Sequence, residues 1–396
     1  MSRKKLDFKI YGIYSRETYS FHPDWITEEA DGYQHQASNR FEIETSVGLP
    51  LWKDSTILLG YNFQAITDAQ NDIKFNVPDF VSNTESTPVW RNDLFTVLRQ
   101  NFFNNFTLSG GARVSMISPY HITESYKEFA TPNDVIAEQT NFAEKTDIYL
   151  VPRASAVWEI NNHNSLKVIY ETAIENNRDK TITETEHIRS GELVYWLSTK
   201  YFRGQLSGYV QQTDNVARRV QTLNSETGAY EKILDNSGEN ITKGTELEIE
   251  FMPAKDFTIG GHVSFQHTKD NKNPDIPVAD SPSWIAGFKT VYTIRPWPKN
   301  IITLMARGQF VDTMSPDWYW TDQKDVWQRI GDDVPAWFTF GANIRYKNEK
   351  SGIILNLHGT NLLNADIRYP ASELVNFAGG AFGPGRSIIL TAGVDW

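Results

Sequence analysis

Ser387-Ile-Ile-Leu-Thr-Ala-Gly-Val-Asp-Trp396 closes the chain, and its reading decides the fold. Ile388, Leu390, Ala392, Val394 and Trp396 fall on one side of an extended strand, with Ser387, Thr391, Gly393 and Asp395 on the other. Side chains alternate with period two along a strand, so this stretch has one greasy wall and one mostly polar wall. The pattern recurs upstream. Phe338, Phe340, Ala342, Ile344 and Tyr346 oppose Thr339, Gly341, Asn343, Arg345 and Lys347. Phe257, Ile259, Gly261, Val263 and Phe265 oppose Thr258, Gly260, His262, Ser264 and Gln266. Phe106, Leu108, Gly110, Ala112, Val114 and Met116 do the same against Thr107, Ser109, Gly111, Arg113 and Ser115.

About 16 segments read as strands. They lie at 5–17, 38–49, 55–66, 92–102, 105–116, 147–160, 164–174, 188–200, 205–221, 244–252, 256–268, 283–295, 300–312, 336–347, 352–362 and 387–396. Short turns near 51–54, 103–104, 161–163, 201–204, 253–255, 296–299 and 348–351 alternate with long connections. The long ones cover 18–37, 67–91, 117–146, 175–187, 222–243, 269–282, 313–335 and 363–386. Segments of roughly ten residues, short turns at one end and long loops at the other are the pattern of an antiparallel transmembrane β-barrel of the outer-membrane type. Soluble β-sandwiches also alternate, but their strands run about 5–6 residues and need no such sorting of loops.

Composition is compatible with that reading. A mean hydropathy of -0.46 excludes little, because a barrel needs only every second residue to be apolar. Transmembrane helices need about 20 consecutive apolar residues, and no such run occurs. The 12 Trp and 17 Tyr are enough to furnish aromatic girdles at the membrane rim. With no cysteine, thiol redox chemistry and thiolate metal sites are excluded. A net charge of -11 argues against a nucleic-acid partner. Met1–Lys5 is basic, but the charges of Asp7 and Lys9 leave no apolar run behind it, so no export signal is legible.

Four stretches resemble the TonB-dependent outer-membrane receptors: Leu150-Val-Pro-Arg-Ala-Ser-Ala-Val-Trp158 with Ser165–Tyr170 after it, Gly244-Thr-Glu-Leu-Glu-Ile-Glu250, Asn361-Leu-Leu-Asn-Ala-Asp-Ile-Arg-Tyr369, and Gly383-Pro-Gly-Arg-Ser387 leading into the last strand. The likeness covers residues 147–396 most strongly. It implies a C-terminal barrel portion over 1–396, lacking the plug domain and roughly the first six strands of a barrel of about 22. It also implies a bacterial outer-membrane location and uptake of a scarce nutrient such as a siderophore, corrinoid or glycan. The partners implied are outer-membrane lipid, a small-molecule or glycan ligand and, in an intact relative, the TonB complex. Without a plug, the expectation is that these residues alone do not support energised uptake. A passive porin-like channel and an outer-membrane barrel enzyme remain as alternatives.

Candidate functional residues are read from the faces. Glu246, Glu248 and Glu250 line one side of a strand, and His262 and Arg345 fall on polar walls, so all five are candidates for the barrel interior. His262 and His267, five residues apart, point to opposite faces and cannot share a metal ion. Neither a metal site nor a cofactor is expected, and no HExxH, P-loop or GxSxG pattern supports an enzyme. The loop residues Trp318, Tyr319, Trp320 and Trp327 offer rigid stacking surface to a ligand, with anchoring at the outer membrane rim as the equal alternative for some of these rings. Trp158, Tyr201, Trp297 and the terminal Trp396, the barrel-assembly aromatic, fall at the short-turn end as an aromatic rim. The glycine cluster 379–385 reads as a flexible loop, since no helix comes after it to make a phosphate cradle.

Overall fold

The computed structural model describes residues 6–21, 32–76, 79–127, 136–143, 146–175, 184–223, 230–321, 326–371 and 379–395. Every regular element among them is a strand. In chain order these are β1 (Asp7–Phe21), β2 (Gly32–Pro50), β3 (Ser55–Asn76), β4 (Asp79–Ser86), β5 (Val89–Phe102), β6 (Phe106–Ile117), β7 (Tyr120–Lys127) and β8 (Ile136–Ala143). Next come β9 (Asp147–Asn161), β10 (Asn164–Glu175), β11 (Glu186–Ser198), β12 (Phe202–Leu223), β13 (Tyr230–Ala254), β14 (Phe257–Asp270), β15 (Trp284–Trp297) and β16 (Asn300–Val311). The last are β17 (Trp318–Thr321), β18 (Val326–Arg329), β19 (Trp337–Asn348), β20 (Ile353–Thr360), β21 (Arg368–Tyr369), β22 (Ala381–Phe382) and β23 (Ser387–Val394). The chain divides into two units, residues 1–156 with 171–187, and residues 157–170 with 188–396.

In the first unit β1, β2, β3, β5 and β6 pair in that order, each antiparallel to the next. A second ladder of β3, β4, β7 and β8 continues beyond it. In the second unit β12, β13, β14, β15, β16, β19, β20 and β23 pair in succession, again antiparallel. The register places like faces side by side. Ile344 opposes Leu357, and Leu357 opposes Leu390, so three strands share one apolar band. That band faces outward: Leu357 is 43% exposed and Leu390 72%. In water such a surface is costly at about 25 cal/mol per Å²; in hydrocarbon it is neutral.

The opposite face is polar and holds the buried hydrogen bonds. On β5 and β6, Asp93 receives Arg91 Nε at 2.9 Å and lies 3.6 Å from Arg113 Nη1, while Ser115 accepts a second bond from Arg91. Among the described residues, buried apolar side chains gather in small clusters, one of Val89, Ile117, Tyr120 and Ile122 and another of Val311, Met314 and Val334.

Strands run further than the hydrophobic pattern foretells. Segments read as loops at 67–91, 117–146, 222–243 and 313–335 contain the far part of β3, all of β4, β7, β8, β17 and β18, and the first residues of β13. At 25 residues, β13 extends about 80 Å at ~3.3 Å per residue, whereas a membrane crossing takes about 9–11 residues. The excess needs no apolar face. Period-two apolarity disappears there, because only the backbone ladder demands a strand. The glycine cluster 379–385 also departs from expectation. It is ordered by the β21–β22 pair, by Gly380 at φ 81° and by a 2.9 Å bond from the Gly383 amide to the Ile367 carbonyl.

Bare backbone makes room for rings at specific points. Gly60 opposes Phe95, whose ring lies over it where a Cβ would have to be, while a Cβ at Gly110 on the apolar face meets nothing within 4 Å. Gly60→Val is therefore expected to cost about 1–3 kcal/mol by displacing the ring. Gly110→Val should stay within about 0.5 kcal/mol of the parent. Urea unfolding from detergent micelles checks both.

Candidate ligand-binding site

The polar face of the second unit carries a hollow of about 580 Å³. Its floor is a cross-strand row in which Glu250 opposes Gly260, Gly260 opposes Lys289, Lys289 opposes Arg307, and Arg307 opposes Gly341. The neighbouring row places Glu248 opposite His262, and His262 opposite Gly287. Glycines create the depth. The His262 ring lies across Gly287, where a Cβ would come 2.5 Å from Cε1, and Arg307 lies along Gly341, with Nε 3.2 Å from such a Cβ. Gly260 leaves open space between the carboxylates of β13 and the cations of β15 and β16.

Charge on this floor is only partly compensated. Glu250 pairs with Arg203 at 3.4 Å, and Glu246 accepts from Ser264 Oγ at 3.3 Å. Among the described residues, no side-chain hydrogen bond or ion pair engages Lys289, Arg307 or Glu248. Strand neighbours stand about 4.8 Å apart, so Glu250 and Lys289 are separated by about 10 Å, too far to neutralise one another directly. The arrangement suits a solute with anionic groups on one side and donors on the other.

A loop covers the hollow, and the Asn361-Leu-Leu-Asn364 motif builds it. Asn361 and Asn364 both adopt left-handed conformations, φ 45° and 52°, which short amide side chains tolerate. Asn361 Nδ2 donates to the Ala365 and Pro384 carbonyls, and its Oδ1 accepts from the Ala365 amide at 2.8 Å. Asn364 Oδ1 takes the Arg386 amide. These bonds hold Ile367 and Pro384 in the wall of the hollow.

The long loop after β16 forms a separate feature of the same unit. The β17–β18 hairpin pairs Trp318 with Arg329 and Trp320 with Trp327 in register. It also lies parallel to β12 through Val220–Trp320 and Gln221–Thr321. The Arg329 guanidinium sits 5.4 Å from the Trp318 ring centroid and bonds Asp333 at 2.7 Å. At the foot of the hairpin a second hollow, of about 610 Å³, is walled by His267, Lys269, Asp275, Ser315 and Asp333. Within this loop cluster the Asp280 carboxyl titrates above the usual Asp range, first through desolvation and then through repulsion from Asp317.

The expected interior residues are thus brought together in part. Glu248, Glu250 and His262 line the first hollow; Glu246 lies one step along β13, and Arg345 lies on β19 outside it. His267 belongs to the loop hollow instead. Trp318 and Trp327 lie on the hairpin with Tyr319 and Trp320, whose backbone alone is described, and Trp396 lies outside the described residues. Lys289 and Arg307, the open cations, were not singled out from sequence. Their link to Glu250 appears only once the register of four strands is known. A buried ion pair was also invisible: Arg218 reaches the fully buried Asp270 at 2.8 Å, and Asp270 further accepts from the amides of Glu239 and Lys272.

The family model described as TonB dependent receptor-like, beta-barrel matches residues 3–362. This chain belongs to the TonB-dependent receptor β-barrel family. Members of that family are receptors and transporters of the Gram-negative outer membrane. Solved structures agree on the fold. The ferric yersiniabactin uptake receptor FyuA from Yersinia pestis superposes with a TM-score of 0.75 at 12% identity, covering 99% of this chain and 57% of that one. The copper transporter OprC gives 0.69 at 11% identity over 97% and 61%, and the ferric citrate transporter FecA 0.68 at 13% over 98% and 58%. The chain therefore spans about three-fifths of the length of these neighbours. No curated protein sequence matches it.

The raised Asp280 pKa has a signed consequence. Protonation is favoured in the folded loop, so the wild type is penalised once pH rises through the folded pKa and relieved below the unfolded one. Asp280→Asn should raise the thermal midpoint at pH 7, with the gain shrinking to nothing as pH falls below the ordinary Asp range. A gain that grows in acid would contradict this assignment.

Proposed function

We propose that this chain is the barrel portion of an outer-membrane receptor that takes up an anionic metal chelate. The observation that carries this reading is the pair of uncompensated cations, Lys289 and Arg307, on the floor of the glycine-hollowed polar face. Two cations side by side, with no acid satisfying them, favour a ligand presenting carboxylate or catecholate oxygens, because charge-assisted hydrogen bonds are the strong ones. Three neighbours in fold are named for ferric yersiniabactin, copper and ferric citrate, which lends support to a metal-bearing cargo. Trp318 on the hairpin adds stacking surface for a first encounter, and the loop held by Asn361 bounds the deeper hollow. In an intact receptor of this family, energy passed through TonB releases the ligand inward; here the polar wall would form the path.

The test is titration of the refolded full chain in neutral detergent with ferric citrate and a ferric catecholate, followed by tryptophan fluorescence. At least one chelate should bind. The double variant Lys289→Gln/Arg307→Gln should weaken that binding by about tenfold or more, in line with loss of charged contacts. Binding unchanged in the variant, or a steady open conductance with no response to any chelate, would refute the reading in favour of a passive pore.

A further inference from the structure

The short-turn edge of the second unit carries a charge pattern that chelate uptake does not use. Antiparallel pairing of successive strands puts the turns before β12, between β13 and β14, between β15 and β16, and between β19 and β20 along one edge. Each of these turns presents one exposed lysine: Lys200, Lys255, Lys299 and Lys350. Three other cations nearby are already spent. Arg295 pairs with Asp256 at 2.5 Å, Lys347 with Asp395 at 2.6 Å and Arg203 with Glu250 at 3.4 Å. At the turn tips Glu349 is then the remaining carboxylate against four lysines. The opposite edge differs in sign, with Asp275, Asp312, Asp332 and Asp333 among its loop residues in a chain of net charge -11.

Immediately inward of the lysines lies an apolar collar on the outward face. Tyr201, Phe251, Trp297 and Ile353 are all exposed there, Trp297 at 64%. The Lys200 ammonium sits 4.9 Å from the Tyr201 ring centroid. Turns on alternate strand pairs fall about 10 Å apart, so the four charges form a row too widely spaced to be bridged by one small anion. A collar of rings with ammonium groups just beyond it fits a lipid surface, with acyl chains against the collar and phosphates at the lysines.

We propose that this edge docks on the headgroups of anionic phospholipid in the membrane leaflet it faces, with Lys200, Lys255, Lys299 and Lys350 contacting the phosphates. The proposal rests on the membrane-barrel reading and adds a lipid preference to it. The full chain in neutral micelles is titrated with phosphatidylglycerol or phosphatidylcholine, and bound lipids are counted by native mass spectrometry. Phosphatidylglycerol should bind at least about tenfold more tightly, the preference vanishing at 1 M salt, where charges are screened within about 3 Å. Changing all four to glutamine (K200Q, K255Q, K299Q, K350Q) should abolish the preference, and changing all four to arginine should keep it, both with the parent's thermal midpoint. A preference that survives the glutamine variant, or displacement of the lipid by millimolar inorganic phosphate, overturns the proposal. In a second measurement, with vesicles of either lipid offered to the protein, wild type that enters phosphatidylcholine vesicles without preferring phosphatidylglycerol overturns it alone. Protein that enters neither vesicle overturns the membrane reading as well.

Discussion

Backbone hydrogen bonding between antiparallel neighbours is the constraint on which the rest of this molecule depends. Hydrocarbon offers no partner to an N–H or C=O, and each one left unpaired costs several kcal/mol. A strand in such surroundings must be flanked by strands, and its side chains must then divide between two faces. The ladders from β1 to β6 and from β12 to β23 meet that demand between each strand and the next. Chemistry on each face is thereby freed. One face has only to be apolar, and the other can collect charge.

The polar face uses that freedom through glycine. Where Gly260, Gly287 and Gly341 interrupt the wall, neighbouring His262 and Arg307 lie down across the gaps and a hollow opens between acids and cations. The same device works elsewhere with rings, as Tyr209 over Gly244 and Phe95 over Gly60. Packing of a long side chain onto bare backbone substitutes for the thick apolar core that this fold lacks. The loop nailed down by Asn361 and Asn364 then converts a depression in a sheet into a bounded site.

Much of this was legible in the sequence wherever a strand separates two solvents. The last strand, β19 and β14 declared their faces residue by residue, and the short turns showed as brief breaks between alternating runs, where the structure places Asp54, Asn104 and Lys299 at left-handed positions. The extensions of β3 and β13 were not legible, since Thr, Asn, Gln and Asp on both faces look like loop residues. The glycine cluster 379–385 was misread for a related reason: its order comes from Ile367 and Arg368, which lie more than ten residues away. Of the site, Glu248, Glu250 and His262 were found from their faces. Lys289 and Arg307 were missed because alternation gives the side of a strand but not the partner across it, and cross-strand register is a long-range property.

The claim on which everything leans is that acyl chains solvate the apolar face. Because the chain has no native cysteine, β20 can be scanned one residue at a time with spin labels at Ile353 to His358 in protein reconstituted into vesicles. Labels at Ile353, Leu355 and Leu357 should relax with dissolved oxygen, and those at Ile354, Asn356 and His358 with a water-soluble nickel complex, giving strict alternation. Equal access of the nickel complex to both sets, or a chain that stays monomeric without detergent with Leu355 and Leu357 shielded from both reagents, would contradict the account.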